Sequence, residues 1–174
     1  MNIFLVGMIN SGKTSLGREL AYKLNFEFID SDTRIATSEG CSINQIFKEK
    51  GEMYFRKLER DFLHHFVSSL QVKSKKIVLA TGGGMPCFYD NMDFMNDNGV
   101  TVFLDVTISE IIKRLSKGGY DLKQKPMLKG YKKKVLYHHL TKLRQKRLKY
   151  YSMAQIKISG DSISCEDIIK KITS

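Results

Sequence analysis

The sequence predicts an α/β protein built on a five-stranded parallel sheet with helices on both faces. Two observations carry that prediction. Apolar runs of strand length alternate with helical patterns from one end of the chain to the other. The first such alternation also contains a phosphate loop, because Asn2 to Ser15 reads NIFLVGMINSGKTS and completes G-x-x-x-x-G-K-[ST] between a strand and a helix.

Ile3 to Val6 form the first strand, and Gly7 with Gly12-Lys13-Thr14 supply the loop. Successive backbone N–H groups of such a loop point into one concavity, and the following helix adds the positive end of its dipole. Lys13 brings a charge for the β- and γ-phosphates, and Thr14 a hydroxyl for Mg²⁺. Leu16, Leu20, Ala21 and Leu24 continue that helix with one buried face. Phe26 to Ile29 form the second strand, ending at Asp30-Ser31-Asp32. Loops at strand C-termini gather around the ligand crevice of a parallel sheet, so both carboxylates are expected beside the phosphate loop.

From Thr33 to about Leu70 the pattern is helical in three pieces, broken at Gly40 and Gly51. Ser42 with Gln45 has the capping-box order, while Phe55, Leu58, Phe62, Leu63, Phe66 and Leu70 form a core stripe. Arg56 and Glu59 lie off that stripe and close enough to pair. Lys76 to Ala80 is the third strand, and it runs into Thr81-Gly82-Gly83-Gly84, where missing side chains let backbone approach a ligand. Pro86 marks the start of a helix to about Asn98. Val100 to Val106 is the fourth strand and Ile108 to Leu115 the next helix. Apolar periodicity then disappears from Ser116 to Tyr131, which reads as a functional loop. Thr141 to Tyr151 is helical, Ala154 to Ser159 a last strand and Glu166 to Ile172 a closing helix.

At 174 residues the chain is expected to be one domain, and its three widely spaced cysteines form neither a disulfide framework nor a zinc site. No apolar run approaches a membrane span, and Met1 leads straight into the first strand, so a cytoplasmic protein without a leader is expected. The formal charge of +11 fits either a basic cleft for anionic small molecules or a nucleic-acid surface. Much of the excess lies between Lys113 and Lys149 and reads mainly as a solvated helix face.

Gly7 to Thr14, Asp30-Ser31-Asp32, Gly51-Glu52-x-x-Phe55-Arg56-x-x-Glu59, Thr81 to Gly84 and a basic-Pro element follow one another at the spacing of shikimate kinases. Over nearly its whole length the chain resembles that family. The resemblance implies a P-loop kinase three-layer sandwich spanning 1–174, with an acceptor-binding helical insert at about 31–72 and a lid at about 116–131. It also implies phosphorylation of shikimate to shikimate 3-phosphate by ATP with Mg²⁺, a step toward chorismate and the aromatic amino acids. ATP phosphates would then be held by Asn10, Ser11, Gly12, Lys13, Thr14 and Ser15, with Arg114 near the adenine. Thr14 and, through water, Asp30 would serve the metal, and Asp32 would bind and orient the acceptor hydroxyl. Arg56, held by Glu59, would grip the acceptor carboxylate together with the backbone of Gly83. A guanidinium fork suits that carboxylate better than a lysine would.

Two positions depart from the family pattern. Lys125-Pro126 stands where the family lid presents Arg-Pro, and Lys125 is the candidate lid cation for catalysis and for ATP. For the second carboxylate-binding cation, a gap-free match selects Lys146 before Tyr150, Arg147 before Tyr151 needs a one-residue deletion, and Arg144 is a third choice. A gluconate-type or nucleoside-monophosphate kinase and a nucleic-acid-binding module are the competing readings. The triple glycine and the Asp30-x-Asp32 pair argue against the nucleotide kinase, and the phosphate loop argues against the nucleic-acid module. Expected partners are therefore ATP and a small anionic acceptor, with neither nucleic acid nor membrane, on a monomer.

Overall fold

The computed structural model describes residues 1–73, 75–117 and 133–173. Its elements in order are β1 (Asn2–Val6), α1 (Lys13–Leu24), β2 (Glu27–Asp30), α2 (Ser31–Glu39), α3 (Ile43–Lys73), β3 (Ile77–Ala80), a 3₁₀ turn (Met85–Cys87), α4 (Asn91–Asn98), β4 (Gly99–Asp105), α5 (Ile108–Lys117), α6 (Lys133–Tyr151), β5 (Ile156–Ser159) and α7 (Cys165–Thr173). The five strands form one parallel sheet in the order β2-β3-β1-β4-β5.

β1 lies at the centre, with Leu5 opposite Ala80 of β3 on one side and Val102 of β4 on the other. Both its edges are therefore paired, and helices cover both its faces, which is why Ile3, Phe4, Leu5 and Val6 are all apolar and fully buried. Ile3, Leu5, Val78, Val102 and Leu104 pack against α1 and α7, through Leu20, Ala21 and Ile168. Phe4, Val6, Ile77, Leu79 and Phe103 face the opposite layer, formed by α3, α4, α5 and α6. The period-2 alternation of β1, β3 and β4 thus feeds two cores, one on each face, whereas edge strand β5 turns only Ile156 and Ile158 inward, both toward the α1 and α7 side. All strand C-termini open at the same edge.

Breaks fall at the glycines that mark them in the sequence. Gly40 ends α2 in a left-handed conformation, and Gly51 interrupts α3 with φ of 81° and ψ of 172°. Two elements differ from the sequence reading. No long helix starts at Pro86: Pro86 sits inside the three-residue 3₁₀ turn, and α4 begins only at Asn91, whose side chain donates to the Met85 carbonyl at 2.9 Å. α6 begins at Lys133 rather than Thr141. Its first half hides behind lysines and histidines, but Leu136 and Leu140, four residues apart, are buried and supply the missing contacts.

Candidate active site

β1 delivers the chain to the crevice at Gly7, where a Cβ would lie 2.8 Å from the Leu104 carbonyl oxygen. Asn10 and Gly12 take positive φ, 53° and 101°, and so turn the loop back toward α1. Lys13 is buried, and its Nζ donates to the carbonyls of Gly7 at 3.0 Å and Met8 at 2.7 Å. Its ammonium is thereby held across the loop whose amides ring the concavity. Ser11 is buried at the loop's centre, and the Ser15 hydroxyl donates to the Gly12 carbonyl.

Thr14 and Asp30 meet at the mouth of the loop, the Thr14 hydroxyl donating to Asp30 Oδ2 at 2.9 Å. Asp30 Oδ1 accepts from the Thr33 amide as the N-cap of α2, which fixes the carboxylate. Two hard oxygens so placed fit a Mg²⁺ ion that takes one or two protein ligands and leaves the remainder to phosphates and water. Arg114 reaches in from α5, donating to the Asn10 carbonyl at 3.2 Å, the Asp161 carbonyl at 2.6 Å and Glu110 at 3.1 Å.

The other end of the crevice is built around Arg56. This guanidinium is only 3% exposed, and Nη1 donates to Glu59 Oε2 at 2.6 Å while Nη2 and Nε donate to Glu52 Oε1 at 2.9 and 3.2 Å. Phe88, Phe55 and Phe47 surround it at 4.6, 5.3 and 5.7 Å from the ring centroids. Burial works against its charge, but Glu59 and Glu52 outweigh that and keep Arg56 firmly protonated. For Glu59 the balance goes the other way: burial pushes its carboxyl up to about 7, with Arg56 opposing and Asp32 adding to the rise.

The three glycines after β3 serve the side chains around them. A Cβ on Gly82 would stand 2.5 Å from Asp32 Oδ1 and 2.7 Å from Glu59 Oε1, and one on Gly84 would strike the Arg56 guanidinium, 2.6 Å from its Cζ. The turn is bare so that Asp32, Glu59 and Arg56 can converge on it. Ser31 ties it down, accepting from the Gly82 amide at 2.8 Å, and Tyr151 donates to the Gly83 carbonyl at 2.6 Å.

Of the three basic residues left open on α6, Arg147 is buried with Nη1 about 3.1 Å from where a Gly83 Cβ would stand, whereas Lys146 is exposed. Arg144 pairs with Asp105 at 2.6 Å. Arg147 and Tyr151, one turn apart, reach the same glycine. Lys125 lies outside the described residues. Sequence reasoning missed Glu52 as a second partner of Arg56, although their i,i+4 spacing signals it, and it missed Phe88, which no local pattern ties to Arg56.

One cavity of about 900 Å³ joins the two ends, with Lys13, Thr14 and Arg114 at one and Asp32, Arg56 and Arg147 at the other. A phosphate loop that shares a cavity with a buried guanidinium cluster on the rim of a parallel sheet defines a class, the P-loop kinases of small anionic acceptors. The shikimate kinase family model matches residues 9–174. A shikimate kinase of Persephonella marina is 39% identical over 98% of this chain and 96% of its own, and one of Parabacteroides distasonis 36% identical over 99% and 95%. Among solved structures, shikimate kinase of Bacteroides thetaiotaomicron matches with a TM-score of 0.88 at 36% identity, covering 99% of this chain and 96% of that one. Shikimate kinase of Acinetobacter baumannii, in complex with shikimate, matches with 0.84 at 33%, covering 99% and 90%. Deoxyadenosine kinase of M. mycoides, at 19% identity and a TM-score of 0.58, shares the fold alone. The chain belongs to the shikimate kinase family.

Proposed function

We propose that this chain transfers the γ-phosphoryl group of Mg-ATP to a ring hydroxyl of shikimate, giving shikimate 3-phosphate. The observation that carries this reading is the Arg56 guanidinium, buried against Glu59 beside the Gly82–Gly84 turn, in the same cavity as Lys13. A buried, pre-oriented guanidinium fork receives a planar anionic group such as the carboxylate of shikimate; gluconate carries a carboxylate and a nucleoside monophosphate a phosphate, so similarity to shikimate kinases is what favours shikimate among the three. Sequence identity above 30% across the full chain to shikimate kinases, one of them solved with shikimate, supports the same acceptor.

In the mechanism, the loop from Asn10 to Ser15 holds the phosphates through its amides, and Lys13 supplies positive charge as negative charge develops on the transferring oxygens. Arg114 binds the nucleotide beside the loop. Thr14 and Asp30 would hold Mg²⁺, which would supply charge neutralisation for the phosphates. Arg56 and Arg147, with the Gly83 backbone, fix the acceptor carboxylate, and that aligns its hydroxyl with Asp32. Asp32 accepts the hydroxyl proton or orients the oxygen for in-line attack. Lys125 is the lid cation that reaches the phosphates on closure. The chain works as a monomer and a single domain, with 31–72 as acceptor-binding insert and 116–131 as lid. Among the described residues no helix is long and apolar enough to cross a membrane, and a cytoplasmic enzyme of aromatic biosynthesis fits that.

The test is incubation with Mg-ATP and a panel of shikimate, gluconate, AMP and CMP, reading ADP release. Shikimate is expected to give the fastest release; faster turnover with AMP, CMP or gluconate overturns the reading.

A further inference from the structure

Asp105 ends β4 next to the start of the phosphate loop, whose Gly7 approaches the carbonyl of the preceding residue, Leu104. Its carboxylate takes two cations from different elements: Arg144 of α6 at 2.6 Å on Oδ1, and Lys157 of β5 at 3.0 Å on Oδ2. Burial raises the Asp105 carboxyl, but Arg144 and Lys157 outweigh burial and hold it below the usual carboxylate range, so the pair is ionised. No step of the phosphoryl transfer described above uses this group.

Helix geometry connects it to the acceptor pocket. Residues advance about 100° each around a helix, so Arg144 and Tyr151, seven apart, point the same way and Arg147 lies close beside them, whereas Lys146 points away. α6 therefore touches the strand ends at two fixed stations, Arg144 on Asp105 and the Tyr151 hydroxyl on the Gly83 carbonyl. Arg147 projects from the turn between them toward Gly83. The apolar contacts of Leu136, Leu140 and Leu143 choose the buried face of the helix. Such contacts tolerate sliding, and a directional ion pair does not.

We infer that Arg144 is a positioning residue, whose pair with Asp105 sets the rotation and height of α6 and so places Arg147 on the acceptor carboxylate. The inference rests on the shikimate reading of the pocket. It separates two basic helix positions, Arg144 and Lys146, that net charge alone treats as equals. The pair is only partly exposed, at 29% and 10%, so solvent does not wash out its directional effect.

The test is steady-state kinetics on the full chain with KM for shikimate and for ATP measured separately, alongside thermal melts. Arg144→Gln and Asp105→Asn should each raise KM for shikimate about 3- to 30-fold, as expected for a coupling of about 1–2 kcal/mol. KM for ATP and kcat should stay within about twofold. The double variant should be no worse than the more severe single one, and Arg144→Lys should recover part of the loss. Lys157→Gln, which strips the other cation from Asp105 without touching α6, should leave KM for shikimate unchanged. If Asp105→Asn fails to fold, Arg144→Gln decides alone, because it leaves Lys157 on the carboxylate. An unchanged KM for shikimate in Arg144→Gln, a parallel rise in both KM values, or an equal effect of Lys157→Gln overturns the inference. A wild-type protein without shikimate-dependent ADP release overturns the acceptor reading, and the inference falls with it.

Discussion

At the scale of single residues, the site depends on charges that are buried and yet matched. Arg56 shows the logic most clearly, since two carboxylates and three aromatic rings hold its fork in one plane. Arg56→Lys should raise KM for shikimate about 10- to 100-fold and change KM for ATP little, because a point charge replaces a planar two-bond contact at a cost of roughly 1.5–3 kcal/mol. An equal effect on both substrates would point to damage in α3 instead. Asp32→Asn should lower kcat by at least about 100-fold with the fold intact, as expected for loss of a positioned acceptor for the hydroxyl proton. Circular dichroism checks the fold and single-turnover ADP formation checks the chemistry; near-normal kcat would remove Asp32 from its role.

At the scale of elements, the turn after β3 and the proposed lid each carry a prediction. Gly82→Ala places a methyl group about 2.5 Å from the Asp32 carboxylate and 2.7 Å from Glu59, so both must move. The variant should therefore keep ATP binding, measured by calorimetry, and lose most shikimate turnover. Normal turnover would show that the glycine serves the ligand's approach alone. For the lid, Lys125→Ala should lower kcat about 10- to 1000-fold, as for loss of one preorganised charge-stabilising donor, while Lys125→Arg should preserve activity. Lys123→Ala and Lys129→Ala are the controls, and a loss no larger at Lys125 would show that the segment acts without a specific cation.

At the scale of the whole molecule, burial of Glu59 links stability to pH. Its folded carboxyl titrates near 7, above the value of about 4.5 for an unfolded glutamate, so the folded state binds more protons between those two values. Stability from this group is complete below about pH 4.5 and is lost as pH rises through about 7. Thermal melts should show wild type losing ground to Glu59→Gln across that window, and parallel melts would mean that Arg56 keeps Glu59 ionised throughout. Activity should move oppositely, because ionised Glu59 is the form that grips Arg56. A rise in kcat/KM for shikimate through pH 7, absent in Glu59→Gln, checks this.

The sheet, the phosphate loop and most of the crevice were legible in the sequence because each rests on a local pattern. Continuous apolar runs mark strands buried on both faces, Gly7 to Thr14 mark the loop, and glycines mark the ends of α2 and the first part of α3. Asp30, Asp32, Arg56 and Gly83 could be placed on one rim because parallel strands all end there. Only the tertiary structure showed that Arg147, and not Lys146, is buried beside Gly83, since a helix so rich in cations carries little sign of which face meets the sheet. Likewise it assigned Gly82 and Gly84 to making room for Asp32, Glu59 and Arg56, and it brought Phe88 onto Arg56. Those decisions depend on side chains distant in sequence excluding one another from the same few ångströms, and no local period encodes that.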